Sequence, residues 1–337
     1  MRRAVILGGS GLIGRAVTRR MLNSGWAVDI TGRNRANVPA DLSRNGAVFH
    51  ALDRDDAAGL EKLLRPGADL VVDCLCFTAA RARILLPVLG DVGSTVMLSS
   101  RAVYVDAAGN HVNSDTAPRF DAPIREDAPT MAPGDMDYNS REGYGANKVA
   151  AERVLLDSGH PVTVVRASKV HGEGASPARE WYFVRRILDR RPVVVLADRG
   201  AGIDHPTAAT NTAALIETVA ALPGSRIVNS ADPDAPDVLA ISRIIAAHLD
   251  HSWEEFLIDG APEGGIGRTP WSARSPIVLD MSAAQELGYR PVGNYADTVV
   301  ESVDWLVRTS DEQQALNHPF FQGRFDYAAE DAFLTAG

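Results

Sequence analysis

Apolar residues in the first half of the chain come in short, nearly unbroken runs: RAVILGG, WAVDITG, ADLVVDCLC, STVMLSS and PVTVVRAS. Stretches that read as helices stand between them: GLIGRAVTRRMLNSG, AAGLEKLLRPG, RARILLPVLGDVG and GYGANKVAAERVLLDSG. Short apolar strands alternating with helices predict a parallel sheet covered on both faces. Past residue 172 the alternation loosens. REWYFVRRILDRR reads as an amphipathic helix, PVVVLA as a strand, TNTAALIETVAAL as a helix and SRIVNSA as a strand. DVLAISRIIAAHLD through YADTVVESVDWLVRT reads as a helix-rich second lobe. The expected architecture is a doubly wound α/β sheet over residues 1–172, to which 200–230 return, and a smaller lobe over 173–337 that covers a substrate cleft. Residues 105–143 break the pattern, being rich in Pro, Asp, Gly and Asn. A loop of this length in a compact domain is functional or disordered, and its place just before Tyr144 reads as a lid.

GGSGLIG sets Gly8, Gly11 and Gly14 between the first strand and the first helix. Glycines there permit a tight turn and let backbone N–H groups approach a pyrophosphate, to which the helix N-terminus adds partial positive charge. Gly8, Ser10, Gly11, Leu12 and Ile13 are the expected contacts. The rival reading is a glycine-rich turn with no ligand. The second strand ends DITGRN, with Arg33 and Asn34 at its tip. A guanidinium suits a ribose 2′-phosphate, so NADP(H) is the expected coenzyme, with NAD the other the fold accepts. Asp53, after the third strand, is placed to accept from the adenine amino group or to stand on a surface loop.

Composition narrows the partners. The chain has 337 residues, 45% hydrophobic and 23% charged, with a formal net charge of −9. That balance argues against nucleic acid held by bulk positive charge. Cys74 and Cys76 project to one face of a strand and read as buried free thiols. Neither they nor the histidines have metal-ligand spacing, so no metal is expected. No run approaches the ~20 apolar residues of a membrane span, and AVIL is too short for a signal sequence. A cytoplasmic protein acting on a small molecule is the expectation.

The chemistry centres on YGANKVAAE, residues 144–152, helix-forming from Ala146 on. Tyr144 and Lys148 are four residues apart, about one helical turn, and so share a face. A nearby ammonium favours a phenolate, which makes the phenol a usable general acid–base group.

Taken in order, GGSGLIG, DRDD, VVDCLC, VMLSSRAVY, PIREDAPT, YGANKVAAE and VTVVRASKVHG resemble the short-chain dehydrogenase/reductase superfamily. The likeness is to its extended and atypical branch, with sugar-nucleotide epimerases and dehydratases and relatives of isoflavone reductases and chloroplast stem-loop-binding proteins. It covers roughly residues 4–172, and more weakly to about 230. The resemblance implies a Rossmann fold and a catalytic set of Ser100, four residues before Tyr104, with Tyr144 and Lys148. Strand alternation points the neighbouring Ser99 the other way. Lys148 would hold the coenzyme ribose, with Leu75 and Cys76 beside it. Lys169 stands where many sugar-nucleotide enzymes carry an asparagine, which turns expectation toward an anionic or carbonyl-bearing substrate touched by Ser100, Lys169 and His171. Net oxidoreduction with NADP(H) is the first reading, epimerisation or dehydration the second, and a non-catalytic dinucleotide-binding regulator the third. Homodimerisation through helices of the first lobe is common among such proteins.

Overall fold

Each apolar run of the first half becomes a strand of one sheet. The computed structural model describes residues 1–260, 263–310 and 318–336. In chain order the elements are β1 (Arg3–Leu7), α1 (Leu12–Asn23), β2 (Ala27–Gly32), α2 (Ala40–Arg44), β3 (Val48–Ala51), α3 (Ala57–Leu64), β4 (Leu70–Asp73), α4 (Ala79–Leu85), β5 (Thr95–Ser100), α5 (Arg141–Leu156) and β6 (Val162–Ala167). There follow β7 (Lys169–His171), α6 (Trp181–Leu188), β8 (Val193–Leu196), β9 (Pro206–Ala208), α7 (Ala209–Ala220) and β10 (Arg226–Ser230). The last are α8 (Val238–His248), β11 (Glu254–Leu257), α9 (Ser282–Glu286), α10 (Tyr295–Arg308) and α11 (Tyr327–Ala336).

The chain divides into two compact units. The first comprises Met1–Lys169, Ala209–Ala231 and Leu279–Val292, the second Val170–Ala208, Asp232–Val278 and Gly293–Gly337. In the first unit seven parallel strands run in the order β10-β6-β5-β4-β1-β2-β3. One face of the sheet, through Val5, Leu7, Val71, Met97, Val162 and Val164, closes on Leu60 and Leu64 of α3, Leu85 of α4 and Leu155 of α5. Helices α1 and α7 pack together and are tied by Arg20 and Ser24 to Glu217. The inner strands β1, β4, β5 and β6 are buried on both sides, which is why they read as unbroken apolar runs. In the second unit β8 pairs with β11 and β7 with β9, beside α6, α8 and α10.

Capping side chains fix the helix starts. Asp56, Thr78 and Asp237 cap α3, α4 and α8, and Asn294 forms a capping box with Asp297 on α10. Helix α5 starts at Arg141, five residues before the position read from sequence, because Ser140 Oγ accepts from Gly143 N at 2.9 Å. Tyr144 therefore stands inside the first turns and not ahead of them. The stretch Leu279–Val292, read from sequence as second lobe, belongs to the first unit: Asp280 N donates to Ile124 O and Val292 N to Asn211 Oδ1. Residues 105–143 form an ordered strap. The carboxylate of Asp106 accepts from the backbone N–H groups of Ala108, Asn110 and Arg119, and Met131 N donates to Val103 O. Gly134 N reaches Ala146 O on α5 at 3.0 Å.

Candidate active site

The turn after β1 is shaped by close backbone approach. Gly8 holds φ at +84°, and a Cβ on Gly14 would sit 2.2 Å from Gly8 O, so the helix starts hard against the turn. Gly8 N and Gly9 N both donate to Thr31 at the end of β2, at 3.3 and 3.2 Å. No side chain caps the N-terminus of α1 and no acidic residue lies in its first turn. Uncapped N–H groups at the positive end of a 12-residue helix suit an anionic phosphate, so the turn fits a dinucleotide. Leu75 packs under the turn, its Cγ 2.9 Å from where a Gly8 Cβ would be. Ser10 Oγ stands 3.4 Å from the corresponding point on Gly32, at the tip of β2.

Arg33 is exposed just beyond that tip. Asn34 is exposed too, but its Oδ1 is spent on Ala36 N at 2.9 Å, capping a short 3-10 turn over Arg35–Asn37. Asp53 is exposed after β3, with Oδ1 taken by Asp55 N at 2.9 Å.

Ser100 closes β5. Its Oγ accepts from Ala102 N at 3.2 Å, which leaves its O–H proton to give elsewhere. Ser99 faces the opposite way and bonds Glu152 of α5. Glu152 also takes Arg166 of β6, at 2.7 and 3.2 Å, and all three side chains are buried. Arg166 in turn stacks on the Tyr104 ring at 4.8 Å, and the Tyr104 hydroxyl donates to Asn229 Oδ1 at 2.7 Å. Burial pushes the Tyr104 phenol up to about 12 against the pull of Arg166. This network locks α5 to β5 and β6, and thereby sets Tyr144 and Lys148 relative to Ser100. Tyr144 is half-buried. Lys148 is 2% exposed and its ammonium donates to Cys76 O at 3.0 Å and Leu98 O at 2.8 Å. Burial holds the Cys76 thiol up at about 12, leaving it a neutral core group whose carbonyl does the work.

Two groups stand elsewhere. Lys169 opens β7 and is half-buried. His171 is enclosed at 2% exposure, with Nε2 3.0 Å from Asp232 Oδ2 and with Nδ1 buried and without a hydrogen-bond partner among the described residues. Among the described residues no group of His, Cys, Asp and Glu is arranged to hold a metal ion. No helix among them is long and apolar enough to cross a membrane.

Sequence reasoning missed the charges beneath the site. Asp73, at the end of β4, is fully buried and accepts from Arg54 Nη2 at 2.6 Å and Nε at 2.9 Å. Its other oxygen accepts from Leu75 N at 2.9 Å, which shapes the loop that carries Cys76. A lone carboxylate within the apolar run LVVDCLC was the available signal. Phe77, Arg81 and Tyr138 were missed as well: Phe77 lies against Lys148, and Arg81 and Tyr138 pack on Phe77.

The fold has many known counterparts. A dTDP-glucose 4,6-dehydratase from Bacillus anthracis in complex with NAD superposes with a TM-score of 0.69 at 15% identity, covering 92% of this chain and 98% of that one. A UDP-glucose 4-epimerase from Thermotoga maritima with UDP-glucose gives 0.67 at 14%, covering 91% and 99%. A UDP-N-acetylglucosamine 4-epimerase from Methanobrevibacter ruminantium in complex with UDP-N-acetylmuramic acid gives 0.68 at 17%, covering 91% and 99%. At such identities the likeness is one of fold. No curated protein sequence matches the chain. The family model of the NAD dependent epimerase/dehydratase family matches residues 4–205, more than half of the 337, and the chain belongs to that family.

Proposed function

We propose that the protein interconverts a carbonyl and a carbinol on a small molecule, using a nicotinamide coenzyme and preferring NADP(H). The observation that carries this reading is the anchored lysine, with the Lys148 ammonium fixed by two backbone carbonyls one helical turn from Tyr144. A bound coenzyme supplies or accepts the hydride. The chain's own groups do the rest. Backbone N–H groups of Ser10, Leu12 and Ile13 hold the pyrophosphate, with Gly8 and Gly11 shaping the turn against it, Arg33 and Asn34 meet the 2′-phosphate, and Asp53 the adenine amino group. Lys148 takes the nicotinamide-side ribose, with Leu75 and Cys76 beside it. Tyr144 gives or receives the proton of the reacting hydroxyl. Ser100 donates its O–H to the same oxygen and offsets the charge that develops there. Lys169 offers an ammonium to an anionic or carbonyl group of the substrate. Two free cysteines fit a reducing, cytoplasmic setting, and homodimerisation belongs to the same proposal.

Family membership and the sugar nucleotides named with the structural neighbours favour a second reading, epimerisation or dehydration without net oxidation. One experiment separates the two. Purified protein is titrated with NADPH, NADH, NADP+ and NAD+ by calorimetry, then incubated with ketones and reduced coenzyme, and with UDP- and dTDP-sugars and oxidised coenzyme, while reduced-nicotinamide absorbance and products are followed. Stoichiometric loss of absorbance with a ketone supports the first reading. Product with no change in absorbance supports the second, and uptake of neither coenzyme ends both. In whichever reaction is found, Tyr144→Phe lowers kcat by about 10²–10⁴-fold, the usual share of a positioned acid–base group.

A further inference from the structure

An ammonium has three N–H donors. Lys148 spends two of them on Cys76 O and Leu98 O, and the Phe77 ring centroid lies 4.2 Å from Nζ. The third donor thus faces an aromatic ring in a cation–π contact. Phe77 is itself clamped. It stacks on Tyr138 of the strap, with centroids 5.5 Å apart and planes 14° from parallel. The Arg81 guanidinium stands 5.7 Å from the Phe77 ring and 5.6 Å from the Tyr138 ring. Two bonds of 2.8 Å to Asp55 and one of 3.2 Å to Leu75 O hold Arg81 in place.

The third Lys148 donor cannot serve a ribose hydroxyl and the Phe77 ring at once. We propose that Phe77, held by Tyr138 and Arg81, gates coenzyme binding: the ring must leave Lys148 before a nicotinamide-side ribose can take its place. This rests on the dinucleotide reading above and adds a competitor for its key lysine. The Tyr138 side of the stack has room to give way, because Tyr138 borders a cavity of about 680 Å³ lined also by Thr78, Ala79, Met136 and Asn147. Binding strength is then reduced by the cost of breaking the stack, and only for ligands that reach Lys148.

The test is calorimetric titration of the wild-type chain and of Phe77→Ala, Tyr138→Ala, Tyr138→Phe and the double alanine variant with NADPH, NADH and ADP. ADP carries the adenosine and the pyrophosphate but no nicotinamide-side ribose, and so stops short of Lys148. Phe77→Ala is expected to bind the preferred coenzyme about 2- to 30-fold more tightly, the range of a cation–π contact. Tyr138→Ala, a half-buried position that tolerates truncation better, is expected to tighten binding by about 2- to 10-fold, the worth of an aromatic pair. Tyr138→Phe keeps the stack and leaves Kd unchanged, and the double variant binds no more tightly than Phe77→Ala. ADP affinity is the same throughout. Weaker or unchanged coenzyme binding in both alanine variants overturns the gate while leaving the dinucleotide reading intact, as does a parallel change for ADP. Failure of every protein to bind NADPH, NADH or ADP removes the dinucleotide reading and the gate together.

Discussion

Tyr144 is flanked by glycines because other backbone lies where their side chains would be. A Cβ on Gly145 would stand 2.5 Å from Ala102 O and 2.4 Å from Met131 Sδ, and one on Gly143 would stand 2.0 Å from Asp137 O. The strap and the turn after Ser100 can therefore lie directly on α5. Alanine raises helix propensity by roughly 1 kcal/mol over glycine, yet at Gly145 it meets a carbonyl that belongs to the backbone. Gly145→Ala is expected to destabilise the protein by about 1–3 kcal/mol in denaturant unfolding, the usual cost of overpacking. Arg33 presents the opposite case, an exposed side chain with room to meet a ligand. Arg33→Ala should weaken NADPH binding about tenfold or more and leave NADH unaltered, since only the former carries the 2′-phosphate that a guanidinium would meet. Equal loss for both coenzymes would refute the assignment of Arg33.

A buried ion pair ties helix α5 to the sheet beside the apolar contacts of Ala151 and Leu155. Ser99, Glu152 and Arg166 link it to β5 and β6, and the charged pair is 5% and 3% exposed at the side chains. Removing one partner of such a pair strands the other charge in a low-dielectric interior, at a cost of about 3–5 kcal/mol. Glu152→Ala should lower stability by that amount. It should also impair kcat although Glu152 touches no reacting group, because Tyr144 and Lys148 ride on the same helix. If the variant were folded, as stable as wild type and equally active, α5 would owe its place to other contacts. Strand β5 carries the complementary lesson. Two successive serines go to different ends, Ser99 to the structural ion pair and Ser100 to the turn beside the site.

At the scale of the whole molecule, stability should depend on pH through His171. Burial of the ring lowers its pKa, but the hydrogen bond and charge of Asp232 outweigh that and raise it above 6.5, with Glu180 and Glu301 adding in the same sense. A raised folded-state value means the protonated ring stabilises the fold fully below pH ~6.5. That contribution is lost as pH climbs through the folded value. Thermal midpoints followed from pH 6 to 9 should therefore fall more steeply for wild type than for His171→Gln. Parallel curves would show that His171 is neutral in the folded protein throughout. The carboxylate concerned also accepts from Ala208 N at 2.6 Å, so the titration reaches the β7–β9 pair of the second unit.

Much of this protein is written in short-range pattern. The parallel sheet, the glycine turn and the one-turn spacing of Tyr144 and Lys148 follow from periodicity and local backbone demands, which a linear text displays directly. The partners that position those groups do not. Asp73 finds Arg54, Glu152 finds Ser99 and Arg166, and Phe77 finds Tyr138, each across sequence distances that no period marks. His171 stands two residues from Lys169 in sequence, and only folding reveals the buried carboxylate of Asp232 that meets its Nε2. The return of Leu279–Val292 to the first unit was equally invisible, since its docking depends on Ile124 and Asn211, residues of a loop and a helix far upstream. Local sequence sets which backbone shape each segment prefers. Which buried charges and rings then meet is decided by the packed interior, where every polar group must find a partner whatever its place along the chain.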